Sequence, residues 1–453
     1  MIVMKFGGTS VGNAERIQQV ARLVRERRER RPVVVVSALG GVTSRLLETV
    51  NAAVARDDGA RAAHLSSLRE IHLAAVDGLG LSSARRDRAR NAVLHGLGAI
   101  DDATCGMLLL GEQTPRASDA VAAMGEQLSH VIVALALEEI GADAVAVDPR
   151  LVMRTDARHG SAEPDRLAIA ALAREHLAPL VAAGRIPVTG GYVGATEDGV
   201  TTTLGRGGSD YSASLLGAAL GADEVQIWTD VPGMMTADPR VVPNARTLPR
   251  VSFAEAAELA YFGARVLHPA TIRPAVERCI PVHVLDTFHP ELGGTVVDDE
   301  GDDAPGPRVR AVAWRKGIAM MSIGSPRMLG SHGFLARVFD VFGRHETAVD
   351  VVTTSEVSIS VTVDQLHRID AIQHDLTSFC EARIERGRAL VCLVGRGLLE
   401  SPRLVSEVLA TLDPIPLRMF CLGSSDINLT FVVDEGNAEE CVQRLHARFL
   451  ENP

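Results

Sequence analysis

Lysine is almost missing from this chain. Of the 46 basic residues among its 453, all but Lys5 and Lys316 are arginine. Most cationic surface roles accept either side chain, but a compact ammonium enters tight phosphate sites that a planar guanidinium does not. A lysine kept directly before glycines, in Lys5-Phe6-Gly7-Gly8, is therefore a catalytic candidate. Cysteine is sparse as well: six residues, Cys105, Cys279, Cys380, Cys392, Cys421 and Cys441, show no C-x-x-C or zinc spacing. Reduced thiols in a cytoplasm are the simplest account of them, and no structural metal is indicated. Positive charge is in deficit, with a net charge of −11, which argues against a nucleic-acid surface; the basic run Arg22 to Arg31 reads as one solvated helix face. The stretch Met1 to Phe6 reads as a buried strand rather than a signal peptide, and no apolar run suggests a membrane span. The expectation is a cytoplasmic protein with neither membrane nor nucleic-acid partners.

No G-x-x-x-x-G-K-[ST] loop occurs, and the main glycine cluster does not have G-x-G-x-x-G spacing. What is present is Leu204-Gly205-Arg206-Gly207-Gly208-Ser209-Asp210, opening an apolar helix from Tyr211 to Leu220. Glycines let backbone N–H groups approach a ligand, and the helix adds its positive end, so this turn is a candidate anion cradle for phosphate or carboxylate.

Around it the chain repeats one pattern of strand, glycine turn and helix. Ile2 to Phe6 leads into Gly7-Gly8-Thr9-Ser10, Val33 to Ser37 into Gly40-Gly41-Val42-Thr43, and Ile186 to Thr189 into Gly190-Gly191. Continuous apolar runs of this kind suit strands buried on both faces of a parallel sheet. Leu46 to Leu110 reads as a helical insert or cap, Gly125-Glu126 starts another helix, and Val145 to Asp148 is a short strand. Val225 to Trp228 is a strand ending in Thr229-Asp230, a capping box at Ser252 to Glu255 opens a helix to Leu267, and Pro281 to Leu285 reads as this domain's last strand. The alternation predicts an α/β sheet between helices, with ligands at the carboxyl ends of the strands. A domain of 1–297 and an acidic, turn-rich linker of 298–307 follow from this reading.

Residues 308–453 contain an internal repeat with an offset of 70: Val338 to Asp364 lies over Val408 to Asp434. Each copy, about 308–385 and 386–453, has the order expected of a ferredoxin-like βαββαβ unit. The copies differ where a small ligand would bind. Gly330 to Gly333 and Asp350 in the first face Glu400 to Arg403 and Phe420 in the second, which predicts one small-ligand site per chain, in the first copy.

Taken together, a lysine before glycines, a Gly-Gly-Ser-Asp turn and a Thr-Asp strand end suit phosphoryl transfer, which needs mainly positioning and charge neutralisation. The words Lys5-Phe6-Gly7-Gly8-Thr9-Ser10, Thr201 to Asp210, Trp228-Thr229-Asp230-Val231-Pro232-Gly233, Asp238-Pro239-Arg240 and Val266-Leu267-His268-Pro269 occur in order along essentially the whole chain. In them the sequence resembles the aspartate kinases of the amino-acid kinase family, of the monofunctional lysine-sensitive type. The resemblance implies a three-layer α/β/α kinase domain followed by a tandem pair of ACT units. It implies transfer of phosphate from ATP, with Mg²⁺, to L-aspartate, in the first step toward lysine, threonine and methionine. Lys5 and Asp210 are then the catalytic pair, with Thr43, Glu126, Arg206 and Ser209 on the aspartate. Lys5, Phe6, Gly7, Gly8, Thr229, Asp230, Met235, Arg240, Arg265 and Val266 serve the nucleotide. Met328, Ser331, Phe334, Leu335, Val349, Asp350, Ser355 and Glu356 would hold an amino-acid effector, with lysine implied, and the ACT units would build a homodimer or a tetramer.

Several positions depart from that family pattern. Met124 stands in place of His, Met235 of Tyr and Arg265 of Lys, while Gly330, His332 and Ala348 differ at the effector side. Two other readings stay open at this stage: a related kinase acting on another acid, and a non-catalytic amino-acid sensor on the same fold.

Overall fold

Every residue of β1 (Ile2–Phe6) and β2 (Pro32–Val36) is buried, as unbroken apolar runs require of strands covered on both faces. The computed structural model describes the chain except residues 263–266, 268, 302–307, 326–327, 329–331, 423–424 and 452–453. It forms two compact units: Met1–Met234, Pro249–Phe253 and Val266–Asp302 make the first, and Met235–Leu248, Ala254–Arg265 and Asp303–Pro453 the second. Two segments that precede the expected linker thus pack with the C-terminal repeats.

Further strands of the first unit are β3 (Ala144–Val147), β4 (Ile186–Gly190), β5 (Val193–Ala195), β6 (Thr201–Thr203), β7 (Glu224–Thr229), β8 (Arg250–Ser252), β9 (Val282–Asp286) and β10 (Thr295–Asp298). Eight form one sheet in the order β3-β4-β2-β1-β7-β9-β10-β8, parallel throughout except between β9 and β10. β9 is therefore not the last strand, as the sequence suggested. The short alternating Thr295–Asp298 stretch finds partners in both β9 and β8. The chain leaves β1 for β2 on one side and reaches its other side only with β7, so the crevice above β1 and β7 is the switch point where ligands bind in open α/β sheets.

Side chains alternate across the sheet. Ile2, Met4 and Phe6 point into a core shared with Leu46, Val50, Leu68, Val76, Val93 and Leu97, so the helices between 42 and 110 are a covering layer of the sheet rather than a separate cap. Phe6 stacks on Trp228, ring centroids 5.9 Å apart. On the other face the helix Gly208–Leu220 lies so close that a Cβ on Gly217 would sit 2.6 Å from Val225 and 3.9 Å from Val3. Lys5 shares that face with Val3, which gives the expected α/β/α layering. Two stretches, Ser83–Leu110 and Pro115–Glu139, match a bilayer crossing in length and composition, against the sequence expectation. Some 78% of the apolar window in the second is buried inside the protein, as in a core helix.

In the second unit β11 (Arg308–Gly324), β12 (Val352–Thr354), β13 (Ser358–Val363), β14 (Glu381–Arg396), β15 (Leu417–Cys421) and β16 (Asn428–Asp434) form a single sheet, β12-β13-β11-β14-β16-β15. The two longest strands run antiparallel at its centre. Ala319, Met321 and Ile323 of β11 join the core of the first repeat, whereas Val309 and Val312 join the core of the second. Residues 308–315 thus complete the second ferredoxin-like unit, and the repeats are interlocked rather than consecutive. Ala237, Val241 and Val242 belong to that same core. Their segment is tied by Thr236 Oγ1 to His446 Nε2 at 2.9 Å and by Gln443 Nε2 donating to the Val241 carbonyl at 3.0 Å.

Candidate active site

Lys5 is the penultimate residue of the central strand, in register with Val35 of β2 and Ile227 of β7. Its ammonium lies 2.6 Å from Asp210 Oδ1, in the first turn of the helix Gly208–Leu220, with side chains 10% and 15% exposed. Gly207 caps that helix at φ 72° with no side-chain bond to its N–H groups. A left-handed residue is needed to turn the chain sharply into the helix, and its missing side chain leaves the positive helix end open to an anion. The helix Val42–Val54 likewise begins on a left-handed glycine, Gly41, with no side-chain cap, and Thr43 lies in its first turn. By contrast, Asn13, Asp57, Thr114 and Asp165 cap their helices with side chains.

Glu126 approaches the same strand ends from the helix Met124–Glu139. Its Oε1 accepts the Ala38 N–H at 3.1 Å, while Oε2 is buried without a partner. Burial pushes the carboxyl up to about 8, and the Ala38 N–H and the Lys5 charge only partly offset this. A buried carboxyl with one oxygen left without a partner, in the field of a lysine, has the perturbed environment typical of a functional site. Close packing draws these parts together: a Cβ on Gly191, just past β4, would lie 2.7 Å from Ser209 Cα.

Arg206 is exposed and forms no ion pair among the described residues. On the opposite side of β1, Gly7 donates its N–H to the Trp228 carbonyl at 3.1 Å, and Thr229 Oγ1 donates to Asp230 at 3.2 Å at the end of β7. Lys5, Phe6, Gly7, Gly8, Thr43, Ser209, Asp210, Thr229 and Asp230 therefore fall at carboxyl ends of strands or in the turns that follow, whereas Glu126 comes from the first turn of a helix that follows another helix. Met235 and Arg240 belong to the second unit. There the exposed Arg240 forms a forked pair with Asp238, at 3.0 and 2.7 Å. Arg265 and Val266 lie outside the described residues.

Sequence reasoning missed Asp119. It is buried and gathers the Thr203 hydroxyl at 2.6 Å, the Gly160 N–H at 3.0 Å and His159 Nδ1 at 2.8 Å. A lone acid in the otherwise small and apolar stretch Ala117 to Met124 was the available signal.

Of the effector candidates, Ser331 lies outside the described residues. Phe334 and Leu335 open the helix Phe334–Arg344, which starts on left-handed Gly333 without a side-chain cap. The matching helix of the second repeat has Pro402 at its start and a Ser401 cap on the Leu404 N–H. Met328 bonds back to Ser325 at 3.0 Å, Val349 packs against the first repeat's core, and Ser355 and Glu356 lie in an exposed turn. Asp350 is held by the chain itself, by Tyr261 Oη donating at 2.6 Å and Arg315 at 2.9 Å. Burial raises its carboxyl.

The amino acid kinase family matches residues 1–286, and an ACT domain matches residues 391–449. The chain is 39% identical over 459 residues to lysine-sensitive aspartokinase 3 of Escherichia coli K12, covering 100% of this chain and 99% of that one. It is 35% identical over 469 residues to chloroplastic aspartokinase 1 of Arabidopsis thaliana, covering 99% and 80%. The crystal structure of E. coli aspartokinase III in complex with aspartate and ADP, in its R-state, superposes with a TM-score of 0.85 at 38% identity over 99% of both chains. The same enzyme with lysine and aspartate, in its T-state, gives 0.82 at 39% over 99% of both. With its strand-end lysine, its open helix termini and a relative of this identity matched from end to end, the chain belongs to the aspartokinases of the amino acid kinase family.

Proposed function

We propose a division of labour for the reaction of this aspartate kinase, in which the γ-phosphoryl group of ATP passes to the β-carboxylate of L-aspartate. The nucleophile is already an anion, so no general base is required: a β-carboxylate oxygen bonds to the γ-phosphorus, the bond to the β–γ bridging oxygen breaks, and ADP leaves. Lys5 neutralises charge on the transferred group, and Asp210 fixes the ammonium. Glu126 receives the aspartate ammonium, Arg206 clamps its α-carboxylate as a planar fork, and Ser209 and Thr43 contribute first-turn contacts. Gly7 and Gly8 let the nucleotide phosphates approach β1, with Gly8 the free donor of the two, since the Gly7 N–H is bonded to Trp228. Thr229, Asp230, Met235, Arg240, Arg265 and Val266 form the nucleotide side. The observation that carries this reading is the Lys5–Asp210 pair beneath an uncapped helix end at the centre of a parallel sheet.

Among the described residues no three His, Cys, Asp or Glu come together as a metal cage. That suits Mg²⁺ carried on the nucleotide phosphates with one or two carboxylates, Asp230 the nearest in kind. When bound, the ion would spread the phosphate charge.

An amino-acid effector, lysine by analogy with the E. coli relative, would bind the first repeat at Met328, Ser331, Phe334, Leu335, Val349, Asp350, Ser355 and Glu356. It would displace Arg315 and Tyr261 from Asp350, and the C-terminal units would pair two chains or build a tetramer. All six cysteines are free, in keeping with a cytoplasmic enzyme. Hydroxylamine trapping of the acyl phosphate across a panel of amino acids tests the substrate; turnover with glutamate or acetylglutamate in preference to aspartate would overturn it.

A further inference from the structure

We propose that Asp119 is a positioning residue for the aspartate-binding turn, acting through Arg206; the proposal rests on Arg206 holding the substrate's α-carboxylate. The carboxylate of Asp119 projects from the helix Pro115–Ala122 and is only 4% exposed. A buried carboxylate is costly unless donors surround it, and here every donor comes from two pieces of chain. Strand β6 supplies the Thr203 N–H at 3.2 Å and the Thr203 hydroxyl at 2.6 Å. The loop between 156 and 163 supplies the Gly160 N–H, at 3.1 and 3.0 Å to the two oxygens, and His159 Nδ1 at 2.8 Å. The Ala162 N–H closes the assembly on the Thr203 carbonyl at 2.9 Å.

These two pieces flank the turn that carries Arg206. Thr203 ends β6, and Leu204-Gly205-Arg206 follows at once. Gly205 adopts φ 75°, and a Cβ there would lie 3.1 Å from the Gly160 carbonyl oxygen. Gly160, fixed through its N–H by Asp119, thus lies with its carbonyl close against the residue before Arg206. Arg206 is exposed and has no ion pair among the described residues, so the turn that carries its backbone sets where the side chain starts out. A fork that must meet a carboxylate at two points loses most of its value when its base shifts by about 1 Å.

The test is a double-mutant cycle in the full-length enzyme. Asp119→Asn places an amide N–H₂ against N–H donors and should lower kcat/KM for aspartate at least about tenfold, with the KM for ATP within about twofold. In an Arg206→Ala background the same change should cost less than about twofold more, because both act through one contact. Thr203→Val removes one donor with little loss of volume and should give a smaller effect of the same pattern. Thr203→Ser should restore it. If Asp119→Asn does not fold, the Thr203 pair carries the test. An undiminished effect in the Arg206→Ala background, or a parallel rise in the KM for ATP, overturns the proposal and leaves Asp119 a structural residue. Arg206→Ala with unaltered kcat/KM for aspartate would instead overturn the role of Arg206 itself.

Discussion

Glu126 offers the most direct physical test of the site, because its carboxyl stands at about 8 against an ordinary 4.5. Between those values the folded protein keeps a proton that the unfolded chain has released, so stability falls as pH rises through the window. The slope approaches about 1.4 kcal/mol per pH unit and the whole span is worth about 5 kcal/mol. Glu126→Gln fixes the neutral form and should remove this dependence. The two tryptophans, Trp228 and Trp314, lie in different units, so in a Trp314→Phe background the buried Trp228 reports the first unit alone. From pH 5.5 to 7.5, denaturant unfolding should show Glu126→Gln gaining about 3 kcal/mol on its parent. Substrate reverses the logic: an aspartate ammonium favours the ionised carboxylate, so binding at pH 7 should release close to one proton. Calorimetry in buffers of different ionisation enthalpy measures that release, and it should vanish in Glu126→Gln, together with a higher KM for aspartate and an unaltered one for ATP. A stability difference independent of pH, or aspartate binding without proton release, would refute the assignment.

Lys5→Met should lower turnover at least about 10³-fold, as loss of a preorganised charge does, and Lys5→Arg should recover little of it; a tenth of the parent's activity in either would refute the role. Gly191→Ala puts a Cβ 2.7 Å from Ser209 Cα, so it should destabilise by about 1–3 kcal/mol and raise the KM for aspartate, and an unperturbed melting curve would show that the helix start yields freely. Asp350→Ala should leave kcat unchanged and abolish inhibition by lysine; calorimetry finding no lysine binding to the parent protein at millimolar concentration would reject the effector. Tyr261→Phe removes a donor that competes for Asp350 and should lower the half-inhibitory lysine concentration, whereas a rise would mean that the phenol helps to bind the ligand.

Legibility in the sequence followed the distance between partners. Lys5 with its glycines and the turn from Leu204 to Asp210 each sit within one strand-to-helix connection, and Thr229-Asp230 closes a strand, so local rules place them at strand ends. Asp119 did not stand out because its partners lie 40 and 84 positions away, and its one local signal, a lone acid in a small and apolar stretch, names none of them. The orphaned oxygen of Glu126 is likewise invisible without the buried helix around it. In residues 308–453 the offset of 70 exposed two like units, but periodicity cannot tell that the start of β11 completes the second one. The pairing of Asp350 is not legible in the sequence, because Tyr261 and Arg315 reach it from 89 and 35 positions upstream.

The interlocked second unit also has a consequence for the order in which the chain can assemble during synthesis. Thr236 leaves the ribosome 210 residues before its partner His446, a delay of roughly 10–40 s at about 5–20 residues per second. Strands β1, β2, β4 and β7 can pair in that time, but the apolar segment holding Ala237, Val241 and Val242, and later Val309 and Val312, must wait for Leu429, Phe431 and Leu445. Protease protection of residues 235–248 in chains arrested before residue 429 would contradict this order. A nascent chain therefore holds Lys5 in a paired strand long before the segment of Met235 and Arg240 acquires the core it packs against, which is filled only when the last helix, with Leu445, is made.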